Sequence, residues 1–172
     1  MAGWFWLQRD PTRRPPDDGE AILSPADGKL LLVEQGNAPV EGAGEGWRIA
    51  IYLSLLDVHV QRAPVAGRIF HSERRLGGYR PAYDPQAANN AGHVLGIESS
   101  KGTVWVIRSA GIIARRVTTC VHPGDRLAAG QRIGRILLGS RVELYLPATV
   151  ELCVRPGGRV RAGESILARW NS

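Results

Sequence analysis

Three short stretches of the sequence carry side chains that together could perform nucleophilic chemistry. Ser140 follows Gly139, His59 stands two residues after Asp57, and Asp27 precedes a glycine in a proline-containing turn. A serine hydroxyl near neutral pH needs an adjacent base, and a histidine base is commonly oriented by a carboxylate. The chain therefore offers a nucleophile, a base and an orienting acid, although separation along the sequence does not show that they meet.

Each candidate also has an ordinary structural explanation. A serine after a glycine is usually structural, a histidine at a strand end is commonly a hydrogen-bonded core residue, and Asp27 suits a turn whose carboxylate accepts backbone N–H groups. The other histidines (His71, His93 and His122) have no metal-ligand spacing. No glycine-rich phosphate loop is present. The sequence therefore predicts no metal site and no nucleotide site.

The elements around Ser140 read as β-strands. The Gly139-Ser140 pair interrupts what looks like one long apolar strand, and residues 141–146 alternate polar and apolar side chains, the period of a half-buried strand. A glycine inside such a pattern indicates a bulge or a close approach to the backbone. Further strands are predicted at residues 47–56 and 112–121, with a hairpin over residues 93–108.

An internal repeat gives the strongest indication of the fold. Residues 121–133 and 154–166 share the pattern V-x-P-G-x-R-[LV]-x-A-G-[QE]-x-I. This unit resembles the hammerhead-like unit of biotinyl and lipoyl carrier domains and of related barrel-sandwich proteins. Because two copies cannot support a solenoid, we predict a closed, all-β, barrel-sandwich-hybrid-like fold with long loops. The Gly139-Ser140 strand should run through its middle.

Composition limits the possible partners. The 172 residues suit one soluble domain, with an aromatic and proline-rich N-terminal segment over residues 1–20 and a β-rich domain over residues 21–172. The formal net charge of +6 comes almost wholly from arginine. Such a surface suits phosphate-bearing partners. No recognition helix or zinc-ligand spacing supports nucleic acid, so an anionic membrane is the preferred partner, and a solvated basic surface with no specific partner is the alternative.

The sequence also suggests a location. No apolar run approaches the roughly 18 to 20 residues that span a bilayer, and no signal peptide is present. The aromatic residues 4–6 fit either an interfacial anchor or a terminus packed on the core. Cys120 and Cys153 stand in apolar strand contexts and are predicted to be buried, reduced thiols. We therefore expect a peripheral protein on the cytoplasmic face of the cell membrane.

Several motifs of the sequence gain meaning from their combination and order. They are Ser24-Pro25-Ala26-Asp27-Gly28, Asp57-Val58-His59-Val60-Gln61-Arg62-Ala63-Pro64, Leu138-Gly139-Ser140-Arg141-Val142-Glu143-Leu144-Tyr145-Leu146-Pro147, the segment Asp10-Pro11-Thr12-Arg13-Arg14-Pro15 and the stretch Ala110-Gly111-Ile112-Ile113-Ala114-Arg115-Arg116. With these motifs the chain resembles the phosphatidylserine decarboxylases, and in particular the short, archaeal-type bacterial branch of that family. The resemblance runs from about Phe5 to the C-terminus.

The resemblance implies an enzyme that makes its cofactor from its own chain. Ser140 would attack the Gly139 carbonyl, and elimination and hydrolysis would leave a pyruvoyl group at position 140. The products would be a β chain of residues 1–139 and an α chain of residues 140–172, which stay associated. His59 would act as base and later as proton donor, with Asp27 orienting it. The reaction implied is conversion of phosphatidylserine to phosphatidylethanolamine and CO₂, with Arg62 as a candidate partner of the headgroup.

Two departures from the family pattern bear on this expectation. Many relatives carry a second histidine where this chain has Arg62, so His59 is expected to serve both steps. Relatives of this branch usually begin with hydrophobic membrane segments, which this sequence lacks. Either the sequence starts late, or binding relies on the aromatic terminus and the positive charge.

Alternatives stay open at this point. Within the same chemistry, the substrate could be a related serine lipid such as an archaetidylserine. From another class, the chain could be a non-catalytic carrier-like or scaffold module, although no lysine stands near Gly139-Ser140, where a carrier displays one. A sugar-phosphotransfer protein would need a pair of facing histidines that the sequence does not clearly offer. A homo-oligomer is also left open.

Overall fold

A computed structural model describes residues 6–112, 116–136 and 140–171. A short 3-10 helix spans Pro85–Asn89, Trp6 and Leu7 are helical, and fourteen strands make up the rest of the regular structure of these ranges. The strands are β1 (Ala21–Leu23), β2 (Gly28–Asn37), β3 (Glu45–Leu53), β4 (Val60–Arg62), β5 (Gly67–Arg75), β6 (Gly92–Glu98), β7 (Thr103–Ser109), β8 (Val117–Thr119), β9 (Arg126–Leu127), β10 (Arg132–Ile136), β11 (Ser140–Pro147), β12 (Glu151–Leu152), β13 (Arg159–Val160) and β14 (Ile166–Arg169).

These strands form three antiparallel sheets. The largest has eight strands in the order β13-β2-β3-β11-β7-β6-β5-β9 and curls into a half-barrel. Two three-stranded sheets, β4-β10-β8 and β1-β14-β12, complete the structure. The predicted all-β, barrel-like fold is confirmed, as is the predicted hairpin, which β6 and β7 form.

The repeat read from the sequence recurs as repeated geometry. Gly124 and Gly157 take φ angles of 93° and 94°, in the left-handed region that favours glycine. Each donates its N–H to the backbone of the large sheet, Gly124 to Ile69 and Gly157 to Leu30. The two copies thus attach equivalent turns to β5 and β2.

Strand β11 lies in the middle of the large sheet, paired with β3 on one side and with β7 on the other. The idea that Gly139-Ser140 interrupts one long strand is wrong. The chain before it, β10, belongs to a three-stranded sheet, whereas β11 belongs to the eight-stranded sheet. The segment 137–139 itself lies outside the described residues. The chain therefore passes from one sheet to the other between Ile136 and Ser140.

Three other local predictions also need correction. The strand expected over residues 47–56 ends at Leu53, because the Asp57 carboxylate accepts the Ser54 N–H at 2.8 Å and forms a turn. Of the strand expected over residues 112–121, only Val117–Thr119 is a strand, and residues 113–115 lie outside the described ranges. Cys120 and Cys153 are free and exposed rather than buried.

The N-terminal segment is fastened to the domain by ion pairs. Arg13 contacts Asp27 at 2.8 Å and Glu164 at 3.5 Å, and Asp10 contacts Arg62 at 3.1 Å. In addition, Gln8 accepts a hydrogen bond from the Arg135 guanidinium at its carbonyl oxygen. The segment therefore runs as a strap beside β4 and β10 rather than as a free linker.

The two faces of β11 have opposite chemistry. Ser140 shares its face with Val142 and Leu144, which belong to the main apolar cluster. On the other face, Glu143 is wholly buried and receives hydrogen bonds from Arg141 Nε at 2.6 Å, Arg48 Nη2 at 2.9 Å and Tyr145 at 2.6 Å. Burial acts to raise the pKa of Glu143, but Arg48 and Arg141 outweigh it and hold the pKa below its usual range.

Removing this buried carboxylate should destabilise the fold strongly. We expect Glu143→Ala to lower the free energy of unfolding by about 3–5 kcal/mol, because it leaves Arg141 buried without its partner. Glu34→Ala is the matched control, since Glu34 pairs with the same Arg48 but is half exposed; it should cost less than about 1 kcal/mol. Urea unfolding in a Ser140→Ala background, which should keep the chain in one piece, measures both. Equal effects would show that the network does not support β11.

Candidate active site

Ser140 is the first residue of β11 and is wholly buried. It pairs with Leu53 of β3. Its Oγ has no hydrogen-bond partner among the described residues. A buried hydroxyl without a partner is uncommon in a folded protein, because its desolvation is not compensated. This hydroxyl is therefore available for chemistry. Its predicted target, the Gly139 carbonyl, lies outside the described residues.

His59 stands immediately before β4, next to the strand that leads towards Ser140. Its backbone carbonyl accepts the N–H of Ile136 at 3.2 Å. Three residues lie between Ile136 and Ser140, so the Cα atoms of Ile136 and Ser140 are at most about 14 Å apart. The fold thus brings His59 and Ser140 to the same region, between the β4-β10-β8 sheet and the eight-stranded sheet.

The electrostatic surroundings keep His59 neutral. Its side chain is buried, with the residue 1% exposed, and neither ring nitrogen has a hydrogen-bond partner among the described residues. Burial lowers the pKa of His59 below its usual range, the nearby backbone and then the charge of Asp57 act in the opposite direction, and the charges of Arg9 and Arg135 add to the lowering. A neutral imidazole at neutral pH can accept a proton, which is what a general base requires.

Unpartnered buried polar atoms are frequent on the strands around Ser140. The described residues contain nine such side-chain atoms, and seven of them belong to six residues of β4, β7, β11 and the residue before β4. These six residues are His59, Gln61, Arg108, Ser109, Ser140 and Arg141. Arg108 and Ser140 lie on one face of the large sheet, and Ser109 and Arg141 lie on the other. Because folded proteins normally satisfy their buried polar groups, the unpartnered atoms make Ser140, His59 and Arg108 candidates for a functional role.

Asp27 is close to this region but is engaged elsewhere. The carbonyl of Pro25, in the same turn, accepts the N–H of Arg62 at 2.9 Å, which places the turn beside β4. The Asp27 carboxylate contacts Arg13 at 2.8 Å and accepts the N–H of Ala162 at 2.8 Å. No hydrogen bond joins it to His59, whose nitrogens have no partner within the described ranges. The orienting role of Asp27 stays a prediction.

Arg62 has a comparable set of structural contacts. Its guanidinium donates to the Gly130 carbonyl at 3.0 Å, to the Pro11 carbonyl at 3.1 Å and to Asp10 at 3.1 Å. These contacts join β4 to the N-terminal strap and to the first repeat. A headgroup role for Arg62 stays a prediction and would require some of these contacts to be exchanged.

Sequence reasoning missed Arg108, which brings a buried positive charge to this region. Arg108 stands opposite Val142 on the adjacent strand, so its side chain shares a face of the sheet with Ser140. All sixteen Asp and Glu residues of the chain are described, and none pairs with it. Burial lowers the pKa of Arg108 to about 10, which still leaves it charged at neutral pH. In the sequence, the one sign of this role is that an arginine stands next to the end of an apolar strand.

Arg108 links the two sheets that enclose the region. Its Nη1 donates to the Thr118 carbonyl of β8 at 2.9 Å, and its Nη2 contacts His93 Nδ1 at 3.1 Å. Burial and the charge of Arg108 lower the pKa of His93 to about 4, so His93 is neutral. Its Nδ1 therefore accepts from Arg108, and its Nε2 lies 3.2 Å from Ser72 Oγ. The positive charge is held in place without being neutralised.

Two further features of the described residues concern cofactors and membranes. No group of three or more His, Cys, Asp or Glu side chains in these ranges is arranged to hold a metal ion. No helix in the same ranges has the length and apolarity required to cross a membrane.

Comparison with known proteins identifies the family. The family model described as phosphatidylserine decarboxylase matches residues 3–168. The chain belongs to the phosphatidylserine decarboxylase family. The resemblance read from the motifs around Asp27, His59 and Ser140 is thereby confirmed.

Named relatives in the phosphatidylserine decarboxylase family are similar over nearly the whole chain. The phosphatidylserine decarboxylase proenzyme of Desulfotalea psychrophila is 42% identical, covering 96% of this chain and 78% of the relative. That of Chlorobium luteolum is 39% identical with the same coverage. A protein of Methanothermobacter thermautotrophicus with the provisional name archaetidylserine decarboxylase proenzyme is 38% identical, covering 97% of this chain and 81% of the relative.

Proposed function

We propose that the chain is a proenzyme that cleaves itself between Gly139 and Ser140 and then decarboxylates a serine phospholipid, phosphatidylserine, to phosphatidylethanolamine and CO₂. The family match over residues 3–168 carries this proposal. The buried, unpartnered hydroxyl of Ser140 and the buried, neutral imidazole of His59 support it. Both groups fit the formation of a pyruvoyl group from Ser140.

Maturation would begin with attack of Ser140 Oγ on the Gly139 carbonyl, while His59 accepts the hydroxyl proton. The peptide C–N bond breaks, the acyl group moves to oxygen as an ester, and the Ser140 nitrogen becomes an amine. Loss of the Ser140 Cα proton then expels the Gly139 carboxylate. Elimination leaves a dehydroalanine at position 140. Water hydrolyses its imine form, which releases the nitrogen as ammonia and leaves a pyruvoyl carbonyl at position 140.

The cleaved chains have a physical reason to stay associated. The new α chain would begin with β11, which hydrogen-bonds to β3 and β7 of the β chain on its two sides. Its buried face also holds Val142 and Leu144 in the main apolar cluster. Separation would expose this cluster and break both ladders.

In turnover, the pyruvoyl group would supply a carbonyl that binds the substrate's amine. It would also delocalise the electron pair that stays on the substrate's α carbon when CO₂ leaves. His59, buried and neutral, can hold the proton that must return to the α carbon. The substrate headgroup carries a carboxylate and a phosphate. The uncompensated charge of Arg108 favours an anion on this face of the sheet, and Arg62 stays the second candidate.

The name of the Methanothermobacter relative supports archaetidylserine as a second candidate substrate. An archaetidylserine carries the same serine headgroup, so the groups named above would act on it in the same way. For the location, we propose a peripheral protein on the cytoplasmic face of the membrane. The lipid substrate and the net charge of +6 support this proposal.

The test is product formation from defined lipid. Purified protein is incubated with phosphatidylserine or with archaetidylserine in detergent micelles, and the headgroup products are measured by mass spectrometry together with released CO₂. We expect phosphatidylethanolamine and CO₂ in equal amounts, and loss of both after borohydride treatment, which reduces the pyruvoyl carbonyl. No CO₂ from either lipid with fully cleaved protein would refute the proposal.

A further inference from the structure

The end of the large sheet at which β11 begins is also the end at which apolar side chains are exposed. At this end, five neighbouring strands each contribute their first or last residues. The residues that stand opposite each other here are Leu53 of β3 and Ser140 of β11, Arg141 of β11 and Ser109 of β7, Ser109 and Gly92 of β6, and Gly92 and Arg75 of β5. We call it the Ser140 end. The loops that leave β3, β5 and β7 all start here.

Exposed apolar residues are concentrated on these loops. Leu55 and Leu56, directly after β3, are 46% and 73% exposed. Leu76, directly after β5, is 89% exposed, and Tyr83 in the same loop is 72% exposed. Ile112, three residues after β7, is 54% exposed. Such a concentration is unusual, because exposed apolar residues are normally scattered singly.

Trp6 joins this group through Arg9. The Arg9 guanidinium stacks over the Trp6 ring at 4.2 Å and donates to the carbonyl of Leu56. Tyr79 lies in the loop that follows Leu76. Of the eight large apolar side chains exposed within the described ranges, seven therefore lie at the Ser140 end, and the eighth, Phe70, lies elsewhere on β5.

The charge at this end is positive. Arg74 and Arg116 are exposed and make no ion pair within the described residues, whereas Arg80 is 57% exposed and pairs with Asp84. The neighbouring carboxylates of Asp84 and Asp57 each pair with an arginine, and Asp57 is buried. Glu73 is the exposed carboxylate that opposes them. Protruding leucines and aromatics among arginines match the apolar and anionic layers of a membrane surface.

We propose that the Ser140 end is a membrane-docking face, which inserts Leu56, Leu76 and their apolar neighbours into an anionic bilayer. Docking in this orientation would present the region around Ser140 and His59 to the headgroup layer. The identity of the lipid substrate rests on the proposed function, whereas the docking itself does not require catalysis.

Vesicle flotation tests the proposal, with phosphatidylcholine vesicles that contain or lack phosphatidylglycerol. Phosphatidylglycerol supplies negative charge without a serine headgroup, so binding does not report on the reaction. Wild-type protein should bind the anionic vesicles more tightly. The double variant Leu56→Ser/Leu76→Ser should bind at least about tenfold more weakly. Phe70 is also an exposed apolar residue and lies on β5, away from the Ser140 end. The Phe70→Ser variant should therefore bind like wild type.

The charged part of the face has its own matched pair. Arg74 and Arg68 both lie on β5. In the strand register, Arg74 stands opposite His93 of β6 near the Ser140 end, whereas Arg68 stands opposite Glu98 of β6 near the other end. Arg74→Gln should weaken binding to anionic vesicles about fivefold, and Arg68→Gln should leave it unchanged. Equal losses from both variants, or unchanged binding of the leucine double variant, would overturn the proposed face.

Turnover separates this inference from the proposed function. The leucine double variant should decarboxylate a soluble short-chain phosphatidylserine at the wild-type rate and lose activity only on vesicles. Loss of activity on both substrates, with weakened thermal stability, would mean that the leucines support the fold and would overturn docking as their role. If wild type binds the vesicles through this face yet releases no CO₂, docking holds and the decarboxylase proposal fails.

Discussion

A Ser140→Ala chain should stay as one intact polypeptide and should have no decarboxylase activity, whereas wild type should separate into chains of residues 1–139 and 140–172. The methyl group of alanine has no oxygen to attack the Gly139 carbonyl, and no pyruvoyl group can form from it. The expected loss of activity is therefore complete within detection rather than partial. Intact-mass spectrometry reads the cleavage, and CO₂ release reads the activity.

Ser109→Ala is the matched control for this experiment. Ser109 is also buried, and its Oγ also lacks a partner among the described residues. It pairs with Arg141 rather than with Ser140, so its side chain lies on the opposite face of the sheet. Ser109→Ala should mature normally. A single uncleaved chain in active wild-type protein would refute self-cleavage, and failure of both serine variants to mature would point to a folding defect.

The sequence could predict the fold class because the repeat and the period-2 strands are local patterns. The pattern V-x-P-G-x-R predicted a symmetric β unit, and the left-handed Gly124 and Gly157 match it. The change of sheet between β10 and β11 could not be predicted, because an apolar strand has the same sequence pattern whichever sheet it joins. Nothing within residues 47–56 showed that the strand ends at Leu53, since the turn that ends it depends on the Asp57 side chain.

The site shows the same division between local and long-range information. Ser140 and His59 could be proposed as site residues because they stand in short motifs with recognisable chemistry. The contact between Asp27 and Arg13 joins residues on separate segments, and only the path of the N-terminal strap reveals it. Arg108 could not be recognised either, because its importance depends on burial and on the absence of a carboxylate partner in the described residues. Both are properties of the folded chain.

His59→Ala should slow maturation by at least about 100-fold, the usual lower bound when a general base is removed. His122→Ala is the control, because the His122 side chain is 80% exposed on a repeat turn and should have no effect. Cleavage is followed over time by gel and by mass after expression at low temperature. Normal cleavage and turnover in His59→Ala would remove His59 from both proposed steps.

The pH dependence of wild-type maturation distinguishes a base from a structural residue. Only the neutral imidazole can accept the Ser140 proton, so the rate should fall as acidification protonates His59. Burial lowers the pKa of His59 below 6.5, so the rate should stay level down to about pH 6.5 and decline only in more acidic buffers. In His59→Ala, the residual slow cleavage should lose this acidic decline. If the maturation rate of both proteins declined with the same midpoint pH, the titrating group would not be His59. His59 would then not be the base.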